Sequence, residues 1–228
     1  MLTSCVDGQV AGMTPEEAFT TPHTAEFVRA VMREDYDEAD KLLRQGVNVN
    51  AEGGEGLTPL FWAMVAERNP DVEKLEYLLK AGANPNHQEP KYHGSAIYIA
   101  VDTNQPKLLK LFLKYGGNPS LVGRGHFGED WSLLSIAALN GQDEIIKILV
   151  AAGADVNWLD EQGFSAAFRA IGSGRYDLAA YLLEHGLTAG LDKLERGAKG
   201  RVVSSNMQAW KDKVILMIQE RRAAQAKN

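Results

Sequence analysis

Residues 56–86 read GLTPLFWAMVAERNPDVEKLEYLLKAGANPN, a stretch that holds two helix starts and one helix stop. Thr58 stands just before Pro59. The hydroxyl can accept from an orphan amide of a first helical turn, and the proline lacks an N–H that would be unpaired there anyway. A short helix from Pro59 is therefore expected. After Asp71, the side chains of Val72, Leu75, Leu78 and Leu79 share one helical face, and each contributes roughly 1.5–3 kcal/mol when buried. Gly82 then ends this second helix where left-handed backbone is needed. The polar ANPN that follows reads as a turn.

The same unit recurs along the chain. DEADKLLRQGVNVN (37–50), DVEKLEYLLKAGANPN (71–86), PKLLKLFLKYGGNPS (106–120), DEIIKILVAAGADVN (143–157) and YDLAAYLLEHGLTAG (176–190) align on their glycines. Those glycines, Gly46, Gly82, Gly116, Gly153 and Gly186, are 36, 34, 37 and 33 residues apart. A near-constant period in this range marks a helical solenoid. The helix-start marker keeps step as Thr58-Pro59-Leu60, Ser95-Ala96-Ile97, Ser132-Leu133-Leu134 and Ser165-Ala166-Ala167. Between the repeats, stretches 51–57, 87–94, 121–131 and 158–164 are short, largely polar and contain Gly, which predicts β-hairpin fingers.

With both markers in register, residues 24–190 resemble ankyrin repeats, most closely in GLTPLFWAM with VEKLEYLLKAGANPN and in LLSIAALNGQDEIIKILVAAGADVN. Phe61, Tyr98, Ser135 and Phe168 stand where that family usually has His, and the third finger, LVGRGHFGED, is enlarged. The resemblance implies an all-α ankyrin-repeat solenoid of about five helix-turn-helix repeats with short β-hairpin fingers. It also implies a concave surface, made of fingers and inner helices, that holds another protein. A solenoid needs capped ends. Residues 191–228 form the expected C-terminal helical cap, in which Trp210, Val214, Met217 and Ile218 share the buried face of a helix over about residues 205–222. A further short helix is expected over residues 188–200.

Composition excludes several classes of function. The 228 residues, 45% hydrophobic and 24% charged, suit an ordinary globular chain with no apolar run long enough to span a bilayer. Residues 192–228 carry nine basic against four acidic residues, a net of +5, so the rest of the chain carries −11 within an overall −6. That balance argues against nucleic acid as a partner. His23, His87, His93, His126 and His185 show no ligand spacing, so no metal is expected, and no cofactor either. No nucleophile elbow or phosphate-binding loop is present, and GRGHFGED neither follows a strand nor opens a βαβ unit, which predicts a protein that is not an enzyme.

The expected activity is therefore recognition. Carried over residue by residue, the resemblance turns Trp62, Ile99, Ile136 and Arg169 toward the groove. The fingers add Tyr92, Phe127, Trp131, Trp158 and Phe164, of which Trp131 and Phe164 are expected to pack on a neighbouring finger. His126 falls within the stretch of the enlarged finger. The finger stretches also hold Glu52, Glu55, Glu89, Glu129, Asp130, Asp160 and Glu161 against Lys91 and Arg124. Acidic and aromatic residues together steer and then anchor a basic protein surface. The candidate partner-binding set is Trp62, Glu89, Tyr92, His126, Phe127, Glu129, Asp130, Trp131, Trp158, Asp160, Glu161 and Arg169.

The single cysteine points the same way. Leu2-Thr3-Ser4-Cys5 resembles a bacterial lipobox, in which Cys5 is acylated after removal of a signal sequence for which Met1 stands in. Residues 1–23 would then be a tether, and a lipid on Cys5 the chain's one link to a membrane, in the periplasm; the alternative is a cytoplasmic protein with an accidental cysteine. Length, tether, repeat number and helical cap together resemble the lipoprotein immunity proteins that guard bacteria against type VI secretion phospholipase effectors, notably the phospholipase D class. That resemblance implies a one-to-one complex in which acidic fingers occlude a basic active-site cleft. A general ankyrin adaptor for a non-toxin protein is the alternative.

Overall fold

A computed structural model of the chain describes Val10 and residues 12–67, 69–90, 94–124 and 128–227. Among these the secondary structure is helical apart from one two-stranded antiparallel sheet. A one-turn helix α1 (Pro15–Ala18) precedes five helix pairs. These are α2 (Pro22–Met32) with α3 (Tyr36–Arg44), α4 (Pro59–Val65) with α5 (Val72–Lys80), and α6 (Ala96–Asp102) with α7 (Pro106–Lys114). The others are α8 (Leu133–Leu139) with α9 (Asp143–Ala151), and α10 (Ala166–Gly172) with α11 (Tyr176–Glu184), followed by α12 (Leu191–Gly200) and α13 (Ser205–Gln225). No helix among the described residues is long and apolar enough to cross a membrane.

The inner helices α4, α6, α8 and α10 each start on the hydroxyl that marks them in the sequence. The amides of Phe61, Tyr98, Ser135 and Phe168 donate to Thr58, Ser95, Ser132 and Ser165 at 3.2, 3.1, 3.1 and 3.3 Å. Each pairing satisfies one of the four amides that a helix start leaves open. The outer helices stop at the aligned glycines: Gly82 has φ 95° and its amide donates to the Leu79 carbonyl at 3.0 Å. That positive φ is what a side chain would resist.

A second period, four residues beyond each glycine, stitches consecutive repeats. Asn50 Nδ2 donates to the Gly82 carbonyl at 2.9 Å, Asn86 Nδ2 to Gly116 at 2.9 Å, and Asn157 Nδ2 to Gly186 at 3.2 Å. At the equivalent place Ser120 Oγ accepts from the Asp155 amide at 2.8 Å. These side chains satisfy backbone groups that the glycine turns leave unpaired.

The chain divides into two compact units, one of Met1–Ile99 with Lys110–Gly117 and one of Ala100–Leu109 with Asn118–Asn228, the three boundaries falling inside α6, inside α7 and just after α7. The first unit buries Phe27, Leu42, Leu60, Trp62, Leu75 and Leu78. The second buries Leu109, Leu133, Ile145, Ile146, Tyr176 and Leu183, and α13 adds Val214 and Ile218.

Three expectations need correction. Within residues 1–23, Val10, Ala18 and Phe19 are buried, so the described part of the supposed tether is folded onto the first unit. Among the described residues, only the third finger forms a ladder, with β1 (Val122–Arg124) against β2 (Asp130–Ser132). The first holds a 3-10 turn at Gly54–Gly56 and the fourth a single bridge, Leu159 to Ser165, because so few residues leave no length for paired strands. Finally, Trp210 is 39% exposed at the edge of α13, with Lys213 Nζ 5.0 Å from its ring centroid.

Candidate functional site

The third and fourth fingers of the second unit are built around Arg169. Its place on the first turns of α10, four residues after the capping Ser165, brings the guanidinium carbon 4.4 Å from the Trp131 ring centroid and 5.5 Å from that of Phe164. A cation over an aromatic face is attracted by the ring quadrupole. Arg169 Nη2 also donates to the carboxylate of Asp160, which is 7% exposed. Asp160 closes its own turn as well, accepting from the Phe164 amide at 2.8 Å while its amide donates to the Phe164 carbonyl at 3.1 Å.

Phe164 carries the stack onward. It lies on Phe168 with ring centroids 4.2 Å apart and planes 24° apart, and Lys193 Nζ of α12 sits 4.8 Å from its centroid. Lys193 also donates to the Gln162 carbonyl. Trp131, Arg169, Phe164, Phe168 and Lys193 thus form one ladder of rings and cations, in which Trp131 and Phe164 both pack on Arg169 of α10. The ladder ties the two fingers to the helices behind them. A binding surface whose rotamers are already held loses less entropy when a partner docks.

Several candidate residues point elsewhere. Trp62 is 1% exposed, because Phe19 and Ala18 lie over it, so it lines no open groove. Glu89 is buried and closes the second finger: its amide donates to the Gly94 carbonyl at 2.9 Å, and its Oε1 accepts from the Gly94 amide at 3.3 Å. Asp160 and Arg169 neutralise each other. A carboxylate buried in this way must have an internal partner, and once it has one it offers little charge outward. Tyr92, His126, Phe127 and Cys5 lie outside the described residues.

On the second unit, Glu161 is exposed, and Glu129, Asp130, Trp131 and Trp158 are half-buried. Arg124 is exposed beside them, opposite Asp130 in the hairpin register. The first unit keeps two exposed finger carboxylates, Glu52 and Glu55. Glu52 lies 3.7 Å from His87 Nδ1, while His87 Nε2 bonds the Gly56 carbonyl at 2.9 Å, so this histidine braces a finger. His185 is structural too: its Nδ1 donates to the Tyr181 carbonyl at 2.7 Å in the last turn of α11. Among the described residues no three His, Cys, Asp or Glu side chains converge as a metal site requires.

Two features were missed by sequence reasoning. The Asn and Ser stitches carried a readable signal, a constant offset of four from each repeat glycine. The role of Phe168 was half visible: it replaces a polar residue at a capping position, and its ring stacks on Phe164 and lies where a Cβ on Gly197 would come within 2.7 Å.

Comparison with known proteins agrees with this architecture. The family model described as ankyrin repeats in three copies matches residues 27–122 and 99–193. The chain is 38% identical over 105 residues to glycerophosphocholine phosphodiesterase gde1 of Schizosaccharomyces pombe, covering 46% of this chain and 9% of that protein. It is 32% identical over 130 residues to the nuclear factor NF-kappa-B p105 subunit of Gallus gallus, covering 57% and 13%. It is 26% identical over 162 residues to putative ankyrin repeat protein FPV031 of Fowlpox virus, covering 68% and 46%. In each case the matched segment spans less than half of the relative's own length.

Proposed function

Since the chain belongs to the ankyrin-repeat family, we propose that it is a protein-binding module whose partner lays a basic surface on the third and fourth fingers. The observation that carries this reading is the combination, on one unit, of exposed Glu161 and half-buried Glu129 and Asp130 with the half-buried rings of Trp131 and Trp158. Like charges on a rigid face speed the encounter with a basic partner, and rings that lose water on docking hold it. The module acts by occupying a surface and turns over no substrate of its own.

The finer form of the proposal is an immunity protein. Its partner is a secreted phospholipase whose cleft, built to hold an anionic phosphodiester, is basic and is blocked one to one by the fingers. Cys5 carries the lipid that keeps the module in the periplasm. The acidic finger charge supports this form, because it is opposite in sign to such a cleft.

The test is an affinity pull-down from the native strain, with mass spectrometry of what is retained. A phospholipase held at one-to-one stoichiometry and silent in the complex supports the immunity form. A non-toxin partner makes the chain an adaptor and removes the toxin. The acidic-finger mechanism is then probed with Glu129→Lys, Asp130→Lys and Glu161→Lys combined: unchanged affinity sinks it. Metabolic labelling with a palmitate analogue, lost in Cys5→Ser, checks the anchor.

A further inference from the structure

Trp62 occupies the inner-helix position that the repeat pattern turns toward a partner, yet it is almost wholly covered. The cover comes from outside the repeats. Val10, Ala18 and Phe19 form one apolar cluster with Leu57, Phe61 and Trp62, and with Ala25 and Val28 of α2. The Phe19 and Trp62 ring centroids are 5.8 Å apart with planes tilted by 57°. Such tilted contacts are favoured by aromatic quadrupoles.

The first finger is cut back to admit this strap. Gly53 has φ −95° and ψ −162°, an extended conformation open to any residue. A Cβ there would nevertheless come within 2.5 Å of the Ala18 carbonyl oxygen and 2.9 Å of Phe19 Cδ1. The glycine makes room for the strap, since its backbone angles alone would accept any residue. Ala18 is itself 0% exposed, so only a small side chain fits at its position.

Away from these apolar anchors the strap is held lightly. Thr14 and Glu17 cap the one-turn helix α1 reciprocally, and Glu16 pairs with Arg29 at 2.8 Å on the surface. Exposed ion pairs of this kind contribute little.

We propose that the face walled by Gly53, Leu57, Phe61 and Trp62 is a peptide-binding site whose resident ligand is the chain's own Ala18-Phe19, and which accepts in trans a segment carrying an aromatic side chain directly after a small one. The resident strap is tethered and so acts at a high effective concentration. The site is closed until the strap is weakened or outcompeted.

The experiment uses the full-length chain and a fluorescently labelled peptide of sequence GMTPEEAFTT, residues 12–21. The wild type is expected to bind it weakly, and Phe19→Ala, which vacates the ring's place, at least about tenfold more tightly. Adding Gly53→Ala to Phe19→Ala removes the gain, because the new methyl fills the path of the strap. Replacing the phenylalanine of the peptide by alanine abolishes binding. Gly53→Ala alone is expected to speed hydrogen exchange of residues 12–19 by about tenfold while leaving α8 to α12 unchanged, since local opening is read directly by exchange. Unchanged exchange in Gly53→Ala overturns the proposal, and so does a Phe19→Ala chain that binds the peptide no better than the wild type. Dimers of the wild type formed by exchanging straps would assign the face to a second copy and overturn the peptide reading.

Discussion

Asp160 shows how one residue can look like part of a binding surface and belong to the interior. Its side chain is 3% exposed and its partner Arg169 is 22% exposed, so the pair exchanges water for each other. Removing the arginine alone strands a buried carboxylate, and Arg169→Ala is expected to cost about 3 kcal/mol. Asp160→Asn with Arg169→Ala should cost less than the two single changes summed. A double-mutant cycle by denaturant unfolding measures the difference, and strict additivity would refute the coupling. Asn157 makes a parallel case. Its Oδ1 accepts from the amides of Thr188, which is exposed, and Ala189, which is half-buried, at 2.7 and 3.0 Å, so Asn157→Ala leaves one half-buried backbone group unpaired and is expected to cost about 1 kcal/mol in the same assay.

Among the α-helices, α13 has the least apolar anchorage for its length, with only Val214 and Ile218 buried across Ser205–Gln225. Ile218→Ala is therefore expected to destabilise the second unit by about 3 kcal/mol and to release α13 first, which hydrogen exchange along the helix checks. The remaining attachment is polar. Glu195 of α12 receives Lys199 at 2.6 Å, Gln219 at 3.3 Å and Arg222 at 2.5 Å. Lys199 foremost, then Gln219 and Arg222, hold its pKa down at about 2, against an ordinary value of 4.5. A carboxylate depressed in the folded state binds protons more readily when unfolded, so its contribution is fully present above about pH 4.5 and lost as pH falls toward about 2. Asp177, held low chiefly by its bond from Arg175, adds to the loss in the same direction. The melting temperature should fall through this acid window, and Glu195→Gln should make the fall shallower; an identical profile for that variant would remove Glu195 from the account.

For the whole molecule the expected behaviour follows from charge. The chain carries −6 overall, and the finger carboxylates of its second unit include exposed Glu161 and half-buried Glu129 and Asp130. If these steer a basic partner, raising ionic strength tenfold should slow association by about an order of magnitude and change dissociation little. Stopped-flow or surface-based kinetics with the captured partner measures both rates. A salt-insensitive association rate would shift the recognition from charge to the rings of Trp131 and Trp158. The strap adds an independent expectation, since Phe19→Ala opens a face on the first unit and leaves the acidic fingers of the second as they are.

Local chemistry made much of this protein legible in its sequence. Thr58, Ser95, Ser132 and Ser165 cap the helices they precede because a cap needs only a hydroxyl three residues before an amide. Gly46, Gly82, Gly116, Gly153 and Gly186 all take the positive φ that their place after a helix demands. These rules act over a few bonds, so the repeat, its period and its family could be read without coordinates. The fate of the individual site residues could not. Trp62 is closed by Phe19, Asp160 is claimed by Arg169, and the strap depends on a hydrogen in place of a Cβ at Gly53. Exposure is set by what a distant segment lays over a side chain, and charge by which opposite group burial brings beside it. Only packing in three dimensions decides either.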